Sequence, residues 1–286
     1  MPRPLLRGLQ IAVAGGLLAL LWRVADGATA LGHLAGARPA WLAGALAALT
    51  GQTLLSALRW RLTAERLGIR LDRRAAIREY FLAQLVNQAL PGGVLGDAGR
   101  ALRARAQAGL LASGQAVLFE RLAGQIGLLA VFAPAAAWTL WVPGALVWPS
   151  WLLAPVALGL AGAGALLLLL HRAGPGLAGE RTASLLRAFR HAVTAPAVRR
   201  RQTATSLATA LCNIAAFACC AAAVGVVLPP ASALVLVPLI LLTMLVPITV
   251  SGWGLREGAA AVLLPLAGAT AAEGLAASIA FGLAVA

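Results

Sequence analysis

Two glycine-rich stretches, Asn87-Gln88-Ala89-Leu90-Pro91-Gly92-Gly93-Val94-Leu95-Gly96-Asp97-Ala98-Gly99-Arg100 and Pro247-Ile248-Thr249-Val250-Ser251-Gly252-Trp253-Gly254-Leu255-Arg256-Glu257-Gly258, decide how this chain is read. Each interrupts a long apolar run with a proline, several glycines, one acid and one arginine. In both, a glycine (Gly96, Gly252) follows the proline by five positions and an arginine (Arg100, Arg256) by nine. Proline and glycine release backbone polar groups, and bare backbone at membrane depth survives only against protein or water. Broken segments in corresponding places of two halves point to a binding site where the halves meet.

The surrounding composition supplies the membrane. Of 286 residues, 61% are hydrophobic and 11% charged, against about 25% charged in soluble domains. Mean hydropathy is +0.88. Too few charges remain to coat a globule, and the long unalternating apolar runs exclude a barrel. The class is all-α: a polytopic integral membrane protein. The net charge of +14 is carried by arginine alone, since lysine is absent; codon bias accounts for that, yet every basic group is then a planar fork suited to phosphate. The arginines flank apolar spans instead of forming a soluble basic face, so no nucleic-acid partner is expected. Cys212, Cys219 and Cys220 share one apolar segment without metal-like neighbours and read as small packing residues.

Taken in order, an uncleaved first span runs over Leu9–Trp22, preferred to a signal peptide because Trp22-Arg23 anchors it and further spans follow. A short outer loop holds Asp26, His33 and Arg38, and a second span covers Ala40–Leu58. The stretch from Arg59 to Glu79 carries seven arginines against three acids and is cytoplasmic by the positive-inside rule. That places the N-terminus in the cytoplasm too. Ile77–Leu90 is too short to span. Its Gln84, Asn87 and Gln88 share one face, either lining a polar route or bonding between helices. With Arg100, Arg103 and Arg105 beyond it, the first broken stretch is a re-entrant hairpin. Ala112–Phe132 spans next, and Glu120, Gly124 and Gly127 form a close-packing face headed by an acid. Trp138, Trp141, Trp148 and Trp151 mark an outer interface. Leu152–Leu170 returns, and the basic stretch His171–Gln202 reads as cytoplasmic, a helix on anionic headgroups. Thr203–Leu228 spans outward; Ala233–Val246, the second broken stretch and Ala259–Ala267 form a hairpin inserted from the other face. The expected total is about six spanning helices plus two oppositely inserted hairpins, an inverted repeat with halves near 1–135 and 150–286 in one domain. The last apolar run reaches Ala286 after thirteen residues without a basic flank, which reads as a truncated chain.

Several of these residues occur in one order that resembles a known family. They are Arg59-Trp60-Arg61, Asn87…Leu90-Pro91-Gly92…Gly96-Asp97…Arg100, Glu120-Arg121-Leu122 and Pro247…Gly252-Trp253-Gly254-Leu255-Arg256-Glu257-Gly258. The pattern is similar to the flippase-like transmembrane region of lysylphosphatidylglycerol synthetases (the multiple peptide resistance factors) and their stand-alone relatives, over nearly the whole chain. The resemblance implies movement of a lipid between leaflets: aminoacylated phosphatidylglycerol, a polyprenyl-phosphate-linked lipid or a related one. The family's soluble aminoacyl-transferase domain is absent from this sequence, so lipid synthesis is not expected. The family often has Arg after the Pro-Gly pair; Gly93 stands there, which leaves that headgroup contact unassigned.

The candidate substrate-binding residues are Asn87, Pro91, Gly92, Gly96, Asp97, Arg100, Glu120, Arg121, Gly252, Gly254, Arg256 and Glu257. A charge at mid-membrane costs roughly 2.5–3.5 kcal/mol on insertion scales, so such groups are functional or paired. The competing reading is a set of structural braces, Asp97 with Arg256 for instance. Glycine N–H groups cradle phosphate, and arginine grips it at two points. No P-loop, metal-ligand cluster or nucleophilic set occurs, so neither a catalytic residue nor a cofactor is expected, and the chain reads as a non-enzyme. The alternatives are an accessory subunit of a lipid-synthesis complex and an intramembrane enzyme using Asp97 or Glu120 as base. Expected partners are the lipid, the bacterial cytoplasmic membrane, and a second copy of the chain or a lipid-synthesis enzyme.

This topology makes a direct prediction. In a background lacking Cys212, Cys219 and Cys220, Leu185→Cys is labelled only after the cells are permeabilised. Labelling from outside intact cells overturns the assignment.

Overall fold

The computed structural model describes residues 3–89, 94–142, 144, 146–172, 180–245 and 252–285, and all regular structure among them is helical. The elements are α1 (Arg3–Val24), α2 (Gly27–Ala35), α3 (Pro39–Arg66), α4 (Arg73–Ala89), α5 (Leu95–Trp141), α6 (Ser150–Arg172), α7 (Glu180–Phe189), α8 (Pro196–Ala223), α9 (Pro230–Leu242), α10 (Leu255–Leu263) and α11 (Ala271–Val285). Among the described residues, α3, α5 and α8 are long and apolar enough to cross a bilayer, and α1 with α2 makes a fourth span if the bent pair counts as one. Shorter apolar helices lie at Ser150–Ala165, Pro230–Leu245 and Ala271–Val285.

Helices α3 and α8 form the antiparallel spine. Each opens on a proline in its first turn (Pro39, Pro196), where the missing N–H has no helical partner to lose. Gly44 faces Cys219 and Gly51 faces Cys212, so the sulfurs fill space that glycine leaves open. The cysteines are packing residues, as their setting suggests. At the far end of this seam Gln202 donates from Nε2 to the Thr63 hydroxyl at 2.9 Å. Small residues close the core around it: Ala45, Ala57, Ala216, Ala221 and Ala277 are wholly buried. Without a hydrophobic gain in lipid, such close backbone approach is what helix pairs have to offer each other.

Three boundaries differ from the sequence expectation, each for a local reason. Helix α3 does not end at Leu58 but runs to Arg66, carrying Arg59-Trp60-Arg61 inside it. The chain around Asp26 and His33 is not a loop. Asp26 adopts φ 52° and its carboxylate accepts from the Thr29 amide (3.3 Å) and hydroxyl (2.6 Å), which starts α2 at 89° to the Ala12–Val24 part of α1. Finally, the basic stretch 180–202 is α7, a π-helical turn (Arg190–Thr194) and the first turns of α8. Helix α7 docks through Phe189, whose ring meets Phe119 of α5 edge-on at 5.3 Å.

Both broken stretches join helices that pack on each other, α4 on α5 and α9 on α10. In the first hairpin the Gly96 amide donates to Asn87 Oδ1 at 2.7 Å, and a Cβ on Gly96 would overlap the Ala83 carbonyl. Gly252 has φ 79°, and a Cβ there would lie 2.8 Å from the Met244 side chain. Helix α5 is broken at Gly109 (φ 79°, ψ 167°), beyond which its second part rises as the long span. Gly127 on that part sits so near α8 that a Cβ would be 2.8 Å from Ser206. The close-packing face expected from Glu120, Gly124 and Gly127 is therefore real.

The two hairpin glycines supply the next prediction. Gly96→Val collides with backbone and Gly252→Val forces a β-branched residue to positive φ, so each lowers the unfolding temperature in detergent by several degrees or more. Gly268→Ala, at positive φ but with open space around it, costs less. Equal melting of all three and wild type removes the close-approach argument.

Candidate functional site

Glu120 is the centre of the first charged cluster, with no exposed surface. Its Oε1 accepts from Arg59 Nη2 on α3 at 2.6 Å and from the Tyr80 hydroxyl on α4 at 3.2 Å. Its Oε2 accepts from Arg100 Nη2 at 2.9 Å. Gly124, one turn on, is required for this: a Cβ would stand 2.8 Å from Arg59 Nη2. Arg100 is 1% exposed and lies between two rings, 4.9 Å from Trp60 and 4.7 Å from Tyr80. Its Nε donates to Asp97 Oδ1 at 2.9 Å, one turn earlier on α5. Asp97 also ion-pairs with Arg121 through Oδ2. Three arginines thus meet two carboxylates, an excess of one positive charge. N–H groups are in excess as well: Arg59 Nε and Nη1, Arg100 Nη1 and Trp60 Nε1 are buried without an acceptor among the described residues.

The second cluster is built around a single ion pair, Arg256 with Glu257. Gly254 (φ 89°) starts α10, and its amide donates to Glu257 Oε2 at 2.7 Å. Glu257 sits in the first turn, where the helix dipole favours an acid. Its Oε1 accepts from Arg256 Nε at 3.0 Å, from Arg256 Nη2, and from the Ser278 hydroxyl at 3.2 Å. Arg256 repeats the setting of Arg100, between the rings of Trp253 (5.1 Å) and Phe281 (5.6 Å). A Cβ on Gly282 would overlap its Nη2, so α11 must present glycine there.

A cavity of about 310 Å³ touches both clusters. Tyr80, Asp97 and Arg121 line it from the first, and Phe281 from the second. Six amides complete its polar wall: Gln52, Gln84, Asn87, Gln88, Gln125 and Asn213. Gln84 Oε1 accepts from Thr53 at 3.0 Å and Asn87 braces Gly96, while Gln125 Oε1 is buried with no partner among the described residues. Leu241, Met244 and Leu245 bring the end of α9 to the same space. Neutral amides beside one arginine–aspartate pair offer donors and acceptors to a polar group without trapping it in a fixed salt bridge.

The sequence matches the family described as lysylphosphatidylglycerol synthase TM region over residues 8–285. The chain belongs to that family. Its role is accordingly tied to membrane lipid, and the multi-pass helical architecture agrees with membership. Among curated proteins and among solved structures, nothing matches the chain.

Within this family member, the structure gathers Asn87, Gly96, Asp97, Arg100, Glu120 and Arg121 at one place, with Asn87, Asp97 and Arg121 at the cavity. Gly252, Gly254, Arg256 and Glu257 form the second cluster. Pro91 and Gly92 lie outside the described residues. An Asp97–Arg256 brace is not formed: Asp97 pairs with Arg100 and Arg121, and Arg256 with Glu257, each within its own hairpin and the helices beside it. Sequence reasoning missed Arg59, which is 3% exposed, together with Trp60, Tyr80, Ser278 and Gly282. The signal for Arg59 was Glu120 itself, since a carboxylate in an apolar run demands a cation from another helix.

Removing either side of a buried ion pair costs about 3–5 kcal/mol by stranding the other. Glu120→Ala therefore destabilises the protein strongly, and Arg59→Met combined with Glu120→Met recovers part of the loss. Thermal unfolding in detergent measures both; a double variant no better than the single one rejects the pairing.

Proposed function

We propose that this protein translocates an anionic or phosphate-containing lipid between the leaflets of the bacterial cytoplasmic membrane, without covalent chemistry. The carrying observation is the amide-lined cavity that joins the positively charged cluster to the second hairpin. A bare phosphate in hydrocarbon is prohibitively expensive, so a headgroup crossing the bilayer needs charge compensation and replaceable hydrogen bonds along its way. Arg121, whose side chain is 45% exposed, is the residue placed to meet phosphate. Asp97 balances it while the cavity is empty, and the amides exchange partners as the headgroup passes. Arg100, Glu120, Arg256 and Glu257 act as the buried frame that holds the hairpins. Insertion of the hairpins from opposite faces, with the N-terminus in the cytoplasm, would give the cavity access from each side in turn.

A second reading has one observation in its favour. Arg256, Glu257 and Ser278 bond chiefly to one another and to the Gly254 amide, as a purely structural member of a lipid-synthesis complex would have it. Flipping measurements separate the two. In proteoliposomes assayed by leaflet-specific quenching of a fluorescent phosphatidylglycerol, Arg121→Gln slows translocation about tenfold, the equivalent of one charge-assisted hydrogen bond. Arg187→Gln, on the exposed face of α7, leaves the rate unchanged. If wild type moves no lipid faster than empty liposomes, the accessory reading stands instead.

A further inference from the structure

Helices α4 and α11 both pack on α3, and a groove of about 480 Å³ lies between them. Leu46 and Thr50 line it from α3, Phe81, Leu82 and Leu85 from α4, and Ala284 from α11. The α3 positions fall in the middle of its apolar run, Ala40–Leu58, so the groove lies at hydrocarbon depth. Leu46, Phe81, Leu82 and Leu85 are between 42% and 58% exposed. Thr50 does not make the groove polar, because its hydroxyl donates to the Leu46 carbonyl of its own helix at 2.8 Å. Exposed leucines are ordinary on a membrane helix, where lipid tails are as apolar as they are. These differ in where the groove leads.

Leu49, Gln84 and Val285 line both the groove and the amide-lined cavity, so the two spaces adjoin there. Gln84 is the polar group of this junction. Its Oε1 accepts from Thr53 at 3.0 Å, whereas its Nε2 is accessible and has no hydrogen bond among the described residues. An amide nitrogen donates and does not accept. Passing inward, a visitor meets an apolar wall, then a free N–H donor, then the cavity with Asp97 and Arg121. Acyl chain, ester carbonyl and phosphate follow one another in the same order along an ester-linked glycerophospholipid. An ester carbonyl accepts and cannot donate, which is what the Gln84 nitrogen requires.

We propose that the α3–α4–α11 groove holds an acyl chain of the lipid whose headgroup enters the amide-lined cavity, with Gln84 Nε2 donating to the ester carbonyl of that chain. The placement rests on the headgroup reading given above for the cavity. The chain keeps a hydrocarbon setting throughout, so only the headgroup needs polar compensation as it crosses. Gln84 thereby distinguishes an ester-linked chain from one joined through an ether, which has no carbonyl to offer.

Photo-crosslinking tests this in liposomes holding the full chain and a trace of phosphatidylglycerol with a diazirine in one acyl chain, the adducts being mapped by peptide mass spectrometry. Wild type is labelled at Leu46–Thr50 and Phe81–Leu85, and Arg121→Gln lowers that labelling about tenfold, because the headgroup no longer holds the chain in place. An ether-linked probe labels wild type about fivefold less than the ester, and Gln84→Leu abolishes the difference. Thr50→Trp, which fills the groove from an exposed position, removes the groove adducts and slows translocation severalfold, while Leu211→Trp on the lipid-facing side of α8 changes neither. Groove labelling that is the same in wild type and Arg121→Gln shows bulk lipid against the surface and overturns the proposal, as does wild-type translocation by Thr50→Trp. Labelling that depends on Arg121 but maps elsewhere overturns the groove and leaves the headgroup reading standing. Labelling that depends on Arg121 nowhere in the chain removes the headgroup reading itself, and the groove with it.

Discussion

A carboxylate with no exposed surface, gripped by arginines from two different parts of the chain, is the constraint from which the rest follows. Glu120 cannot sit in the interior alone, since desolvating an ion costs several kcal/mol. Arg59 and Arg100 offset this only at hydrogen-bond distance, and their positions are then fixed. Holding Arg59 there requires α3 to continue past the apolar run and α5 to carry glycine at position 124. Holding Arg100 requires the hairpin to bring Asp97 and Tyr80 beside it and Trp60 beneath. One buried acid therefore sets the relation of α3, α4 and α5, and α8 follows because it is packed along α3.

The cavity is a by-product of the same geometry. Neighbouring residues on a helix point about 100° apart, so with Glu120 turned into the cluster, Arg121 is turned out of it. Asp97 bridges the two arginines and thereby links frame to cavity. Residues 121, 125 and 128 repeat the Arg121 direction along α5, which is why the wall stays polar and then becomes apolar at Leu128. From the other half, Phe281 serves twice, stacking on Arg256 and facing the cavity.

Much of this was legible because it is written in exceptions to an apolar background. A proline and glycines inside hydrophobic runs announce the hairpins. A Gln-x-x-Asn-Gln spacing announces a polar face, and a lone Glu120 announces a buried charge. What stayed hidden was written in residues that looked ordinary. Arg59 stands beside Arg61 and Arg66, so the basic stretch reads as a solvated loop, although α3 carries the first of them inward. Ser278 and Gly282 are two small residues in an apolar helix and look like packing positions until Arg256 is seen against them. His33 fell in a short segment between two spans that read as a loop, because the decisive event is the left-handed turn at Asp26. For Arg59, Ser278 and Gly282 the information is a tertiary partner, which spacing within one helix cannot carry; for α2 it is the backbone conformation of one residue, Asp26.

The two hairpins match in sequence but not in their charge balance. Each holds an arginine between two rings and beside a carboxylate. In the second, one acid, one arginine, one hydroxyl and one backbone amide bond to each other. In the first, a third arginine, Arg121, joins two acids and borders the cavity with Asp97, while N–H groups of Arg59, Trp60 and Arg100, away from the cavity wall, find no acceptor among the described residues. A polar network that is only partly satisfied is less stable than a closed one, since buried donors lose water and gain nothing. On the proposed reading the second hairpin is the support, and Arg121, the arginine of the first cluster that lines the cavity, is where a headgroup's phosphate would be met.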